Sequence, residues 1–200
     1  MKHTWIAAAC IALLAACGGE NTSGQPETDT TGSVQSNQQT SPETATTTGV
    51  TGGTSSDTTP ADKEFVSNAG MAGLAEVQMG NLALQNAQSA DVKAFAQRMV
   101  TDHGASNAEL AELATVKGLA LPTELAGKHQ QGLEHLRGLS GAEFDKAYMQ
   151  HMVGDHNEAV TLFQNGSTNS SDSDIKAFAT KNLPILQEHL RMAQEIAGKV

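Results

Sequence analysis

Three times the chain repeats one five-residue pattern, in which two apolar residues and a variable residue precede an acid and a histidine. The copies are Met99-Val100-Thr101-Asp102-His103, Met152-Val153-Gly154-Asp155-His156 and Ile185-Leu186-Gln187-Glu188-His189. Neutral imidazole and carboxylate are good ligands for Fe, Cu or Zn. Consecutive residues on a helix point about 100° apart, so an acid and the histidine after it cannot face the same point. Asp102, Asp155 and Glu188 are therefore expected to reach a neighbouring helix and orient an imidazole there, as carboxylates behind a metal ligand do.

The residues around these motifs read as helices. A first helix is expected over about 62–86, with the stripe Phe65, Ala69, Ala72, Glu76, Met79, Ala83 at helical spacing. Gly70, Gly73 and Gly80 lie on a neighbouring row and predict close helix contact. A second helix follows Ser89 as N-cap and stops before Gly118, with His103 on its apolar stripe. A shorter segment is expected from Leu121-Pro122 to Arg137, and Ser140-Gly141-Ala142-Glu143 reads as a capping box opening a third long helix to about Asn165. After a polar loop over 166–172, a last helix runs from about Asp174 to Ala197 with Pro184 inside it.

Four long helices in about 140 residues imply a bundle. The long connection between the second and third gives a ferritin-like all-α four-helix bundle with a short extra helix in the crossover. Val92-Lys93-Ala94-Phe95-Ala96 and Ile175-Lys176-Ala177-Phe178-Ala179 open two of the helices as related halves.

Each long helix thus carries one ionisable residue where a core residue belongs: Glu76, His103, His156 and His189. Burying four such groups is expensive unless they satisfy one another or bind something. Two readings follow: one transition-metal ion (Fe, Cu or Zn), or a structural polar network that fixes helix register. Counting heights at 1.5 Å per residue puts Glu76 and His103 within about 5 Å of one level and His156 and His189 roughly 10 Å apart. His189 is therefore expected in another layer unless the Pro184 kink changes the register, and Glu76, His103 and His156 are preferred as the group. His129, His135 and His151 are expected at the surface or its boundary. Met79, Met99, Met149, Met152 and Met192 are expected to fill the core.

The N-terminus supplies a different chemistry. Residues 1–16 carry a short basic start and an apolar run, Trp5 to Ala16, that suits a signal peptide and is too short to span a bilayer. Leu14-Ala15-Ala16-Cys17-Gly18 resembles the lipobox of bacterial lipoproteins, with cleavage before Cys17 and lipid on its thiol. Several acyl chains on one residue give stable anchoring. Glycine after the lipidated cysteine favours, by the same resemblance, the periplasmic face of the outer membrane. The tract from Cys17 to Ala61 is rich in Thr, Ser, Gly and Gln and is expected to be a disordered tether with an r.m.s. span of roughly 35–40 Å.

Composition excludes other classes. The 200 residues carry 12 Lys and Arg against 22 Asp and Glu, a net charge of −10. That leaves no basic footprint for nucleic acid. With Cys10 removed and Cys17 acylated, no thiol remains for a disulfide or for catalysis.

The segments Phe65–Ala69, Glu76–Gly80, Val92–His103, Gly141–Asp145, Tyr148–His156 and Leu183–His189 together resemble the bacterial domain-of-unknown-function 4142 family. The resemblance covers nearly all of 64–197. It implies a ferritin-like fold and an envelope location, and it brings no established activity. Di-iron proteins of that fold need Glu-x-x-His on two helices, whereas Val100, Val153 and Leu186 stand three residues before the histidines. A redox enzyme is thus disfavoured. The expectation is a membrane-anchored, non-enzymatic protein that binds a metal ion or meets an envelope protein partner.

Overall fold

The computed structural model describes residues 58–200. The signal peptide, Cys17 and nearly all of the expected tether lie outside the described residues. Five helices follow in order: α1 (Pro60–Asn86), α2 (Ala90–Lys117), α3 (Gly127–Arg137), α4 (Gly141–Asn169) and α5 (Ser173–Ala197). Helix α1 pairs with α2, and α4 with α5, while α1 packs on α4 and α2 on α5. The four long helices close a ring, and α3 covers the edge between α1 and α4. The all-α bundle expected from the sequence is what forms, and none of the described residues builds a strand.

Helix α1 begins two residues before the expected Asp62, because Thr59 and Pro60 are its natural start. The Asp62 amide donates to Thr59 Oγ1 at 3.2 Å, and the Thr59 amide donates to Asp62 Oδ2 at 3.0 Å. Proline in the first turn loses no helical hydrogen bond. Ser89 caps α2 as expected, and Gly118 ends it in the left-handed region at φ 66°.

Three expectations need correction. The crossover helix starts at Gly127, not at Leu121-Pro122. Those two residues instead lie over Gly70, where a Cβ would sit 3.0 Å from Leu121 Cδ2 and 3.3 Å from Pro122 Cδ. The capping box at Ser140–Glu143 does not form: Gly141 takes φ 61° and Ser140 makes no side-chain cap bond. Helix α4 also runs through Gly166 to Asn169, so the loop before α5 is only 170–172. Gly166 stays within the helix, and the Phe65 ring occupies the place of its missing side chain, 2.5 Å from an added Cβ.

Carboxylates near the start of the helices tie neighbouring elements together at each end of the bundle. Asp145, buried in α4, accepts from the amides of Gln88 at 3.0 Å and Ser89 at 2.7 Å, which form the α1–α2 turn. At the far end Asp62 Oδ1 accepts from the Ser171 amide at 3.2 Å, in the α4–α5 loop. Asp172 caps α5 through the amides of Asp174 and Ile175 and pairs with Lys117, at the end of α2, at 2.8 Å.

The core has two halves. One apolar cluster, holding Met79, Phe95, Met99, Phe144, Tyr148 and Met149, fills the end near the α1–α2 turn. The other, holding Phe65, Leu110, Phe163, Ile175, Phe178 and Leu186, fills the end near the α4–α5 loop. Each fully buried large apolar side chain contributes roughly 1.5–3 kcal/mol.

Two glycines of α4 separate space from propensity. Gly166→Ala drives a methyl into the Phe65 ring and within 3.1 Å of Ala179 Cβ; thermal unfolding should show a loss of about 1–3 kcal/mol. Gly154 has nothing within 4 Å of an added Cβ. Gly154→Ala should raise stability by about 0.5–1 kcal/mol, because alanine loses less backbone entropy in a helix. Equal effects of the two substitutions would contradict this account of α4.

Candidate metal centre

Between the two apolar clusters lies a single polar layer. Glu76 of α1, His103 of α2, His156 of α4 and His189 of α5 are all buried there. The ring centroids form a nearly equilateral triangle, with His103–His189 at 5.2 Å, His156–His189 at 5.5 Å and His103–His156 at 5.6 Å. One ring nitrogen from each histidine lies within 4.8 Å of the others.

His189 therefore joins the layer from which height counting had separated it. The count assumed a long loop over 166–172. With α4 ending at Asn169 and α5 starting at Ser173, the offset from His156 falls to about 4.5 Å, within the reach of two side chains.

Each imidazole has one nitrogen engaged and one free. His103 Nδ1 donates to Glu76 Oε2 at 2.9 Å. His156 Nδ1 donates to the Met152 carbonyl at 2.9 Å, one turn back on α4. His189 Nε2 donates to Asp102 Oδ2 at 2.9 Å, across from α5 to α2. The remaining nitrogens, His103 Nε2, His156 Nε2 and His189 Nδ1, are buried and have no hydrogen-bond partner. A bonded N–H fixes the tautomer and leaves the other nitrogen as a lone pair, the form in which histidine binds metals.

The arrangement fits one small ion. Three nitrogens about 2.0 Å from a shared metal stand about 3.5 Å apart. The rings need to close by about an ångström to reach that spacing. A cavity of about 20 Å³ adjoins the layer, lined by Glu76, Asp102, His103, Ser106, Asn107 and His189 among others. That volume accommodates one water, enough for a fourth ligand.

The electrostatics favour neutral imidazole at His156 and His189 and the opposite at His103. Burial acts to raise the Glu76 carboxyl, but the charges of His103 and His156 and the His103 hydrogen bond outweigh it and hold the group at about 2. Burial pushes His103 down, yet Glu76 overcomes it and His103 ends above its ordinary value. Burial drives His156 below its ordinary value against the pull of Glu76. Burial, with His103 and His156 beside it, takes His189 down to about 4 even though Asp102 bonds it.

Glu76, offered by the sequence as a ligand, orients His103 through Oε2, while its Oε1 is buried without a hydrogen-bond partner. Its Oε1 is 3.5 Å from His156 Nδ1, but that nitrogen already serves Met152. Asp102 orients His189, the role expected of it. Glu188 does not come near the histidines: it lies on the outer face of α5 and pairs with Arg191 at 2.8 Å. Asp155 turns away from the layer toward His151 and His129, at 3.2 and 3.8 Å. Sequence reading had missed this second grouping, although the four-residue spacing of His151 and Asp155 places them on one helical face. Of the methionines, Met79, Met99, Met149 and Met152 are fully buried in the apolar cluster beside the layer.

The family model for a domain of unknown function (DUF4142) matches residues 48–196, and the chain belongs to that family. A comparison with curated proteins finds no match. Among solved structures, a DUF305 fragment from Deinococcus radiodurans superposes with a TM-score of 0.64 at 12% identity, over 72% of this chain and 99% of that one. A DUF305 protein from Streptomyces coelicolor gives 0.61 at 13% identity, over 70% and 93%. CopM, solved in a Cu(II)-bound form, gives 0.59 at 17% identity, over 69% and 96%. At these identities the likeness establishes the helical fold.

Acid should expose the preference of His189 for the neutral form. A histidine lowered to about 4 in the folded state takes up its proton near 6.5 when unfolded. Between those values the unfolded chain binds more protons, so stability falls as pH drops from about 6.5 to 4 and is fully present above that window. Thermal unfolding followed by circular dichroism should show this acid limb in the wild type and a shallower one in His189→Asn. An unchanged slope would mean that His189 is not held neutral.

Proposed function

We propose that this DUF4142 protein is a lipid-anchored envelope protein whose bundle holds one transition-metal ion on His103, His156 and His189, with copper preferred over zinc or iron. The observation that carries the metal reading is the set of three buried imidazole nitrogens without partners, one from each ring. A network built only to fix helix register gains from pairing every such atom. Leaving a buried nitrogen unpaired costs about 1–3 kcal/mol. An ion bound by all three would remove that cost at once.

Copper comes first for two reasons. CopM, which shares the fold, was solved with Cu(II), Cu(I) and silver bound. A three-imidazole site also suits both copper states, three-coordinate for Cu(I) and with an added water for Cu(II). Glu76 and Asp102 would hold the His103 and His189 rings in place and raise their basicity. The role this supports is binding and retention of the ion, with no catalytic step.

Purified full-length chain should take up Cu(I) in competition with a chromophoric chelator. His156→Gln together with His189→Gln should weaken that uptake at least a hundredfold, and Glu76→Gln about ten- to a hundredfold, the usual scale for losing a group behind a ligand. A double variant that competes for Cu(I) as well as the wild type would overturn the metal reading and leave the polar-network reading in its place.

The anchor rests on Leu14-Ala15-Ala16-Cys17. The acidic chain offers no cationic surface for lipid headgroups, and no described helix is long and apolar enough to cross a membrane. In cells fed radiolabelled palmitate the chain should carry label and fractionate with outer membranes. Cys17→Ala should abolish the label. Label retained in that variant would sink the assignment.

A further inference from the structure

An ion held on His103, His156 and His189 has to reach side chains that lie in the interior of the bundle. The ring of four long helices has four edges by which it could pass. Two lie within the hairpin pairs α1–α2 and α4–α5, and α3 covers the α1–α4 edge. The α2–α5 edge lies across the ring from α3, and its two helices are the least closely packed of the four pairs.

The cavity beside the histidine layer runs to that edge. Its walls pass from buried His189 and Asn182 to half-buried Asp102 and Ser106 of α2 and to Ile185 of α5, which is 38% exposed. Ile185 opens the third acid–histidine motif, at the place that Met99 and Met152 bury completely in the other two. Among the described residues only Val116 and Val200 join it as large apolar side chains left in solvent. Asp102 links the outside to the triad directly. Its side chain is 30% exposed, whereas that of His189, which it holds at 2.9 Å, is 0% exposed. The His189 bond and the Arg98 bond at 3.1 Å both fall on Oδ2, and Oδ1 carries neither. A carboxylate at a solvent mouth, in a chain whose net charge is −10, draws cations toward it.

We infer that the ion enters and leaves the interior site between α2 and α5, meeting Asp102 at the mouth and passing Ile185 to reach His189. The route presupposes the interior site proposed above, but the opening can be measured without an ion. A path sets the barrier in both directions. Narrowing it slows binding and release by one factor and leaves the affinity, their ratio, where it was.

Cu(I) is the probe for the full-length chain. Its uptake from a chromophoric chelator and its release to excess chelator, followed by stopped flow, should both slow several-fold in Ile185→Trp and both quicken in Ile185→Ala, at unchanged equilibrium affinity. Val116→Trp, 80% exposed near the end of α2, is the control and should change neither rate. Arg98→Gln removes the positive charge beside Asp102 and should speed uptake, most at low salt. With no ion present, diethyl pyrocarbonate should modify His189 several-fold more slowly in Ile185→Trp than in the wild type, read by peptide mass spectrometry. A substitution that merely loosened the bundle would speed that modification, the opposite sign. His189 modified at one rate with and without Ile185→Trp, or Cu(I) transfer slowed as much by Val116→Trp, would overturn the route. A wild-type chain that takes no Cu(I), yet has His189 protected by Ile185→Trp, would remove the interior ion and keep the α2–α5 opening as the way into the layer.

Discussion

The structure turns on one constraint: four ionisable side chains occupy the middle of a bundle whose two ends are apolar. A buried polar group costs free energy unless it is bonded, and the cost is greater for a charge. Glu76 and the three histidines can meet that cost only at a common height. The bond from His103 to Glu76 at 2.9 Å and the one from His189 to Asp102 at 2.9 Å would both fail if a helix slid by one turn, about 5.4 Å. The layer therefore needs the helices locked along their axes, which apolar packing alone does poorly.

The locks are the carboxylates at the helix starts. Asp145 holds the α1–α2 turn against the beginning of α4, and Asp62 holds the α4–α5 loop against the beginning of α1. Asp172 and Lys117 join α5 to α2 at that same end. Backbone amides that would otherwise be orphaned at turns are satisfied by side chains from another helix. The same bonds fix the distance from each loop to the polar layer. The short α4–α5 loop brings His189 level with His156.

Much of this was legible in the sequence because it rests on periodicity. The 3–4 spacing located the four long helices and put Glu76, His103, His156 and His189 on their inward stripes. Heights were not legible, since a height depends on where a helix stops. Gly166 looked like a terminator and is instead a packing position under Phe65. Ser140 looked like a cap, but Gly141 turns the chain left-handed there and Asp145 ties the helix start to the α1–α2 turn instead. Partners across helices were out of reach too: nothing local says that Asp102 meets α5 while Glu188 faces outward and pairs with Arg191.

The three acid–histidine pairs show how one local pattern acquires three roles. In each, the histidine faces inward and the acid lies about 100° around the helix. On α2 that direction faces α5, so Asp102 reaches His189. On α4 it faces the edge covered by α3, so Asp155 meets His129 and His151 instead. On α5 it faces outward, so Glu188 is left to Arg191. Neighbouring helices, rather than the motif, decide what each acid does. The nitrogens tell the two kinds of polar contact apart. Where a bond serves only structure, as between Asp145 and the α1–α2 turn, donor and acceptor are both satisfied. Where histidines gather, three interior nitrogens are left with lone pairs and no donor. A nitrogen without a partner does nothing to fix helix register, so the proposed ion accounts for atoms that the structural bonds leave unexplained.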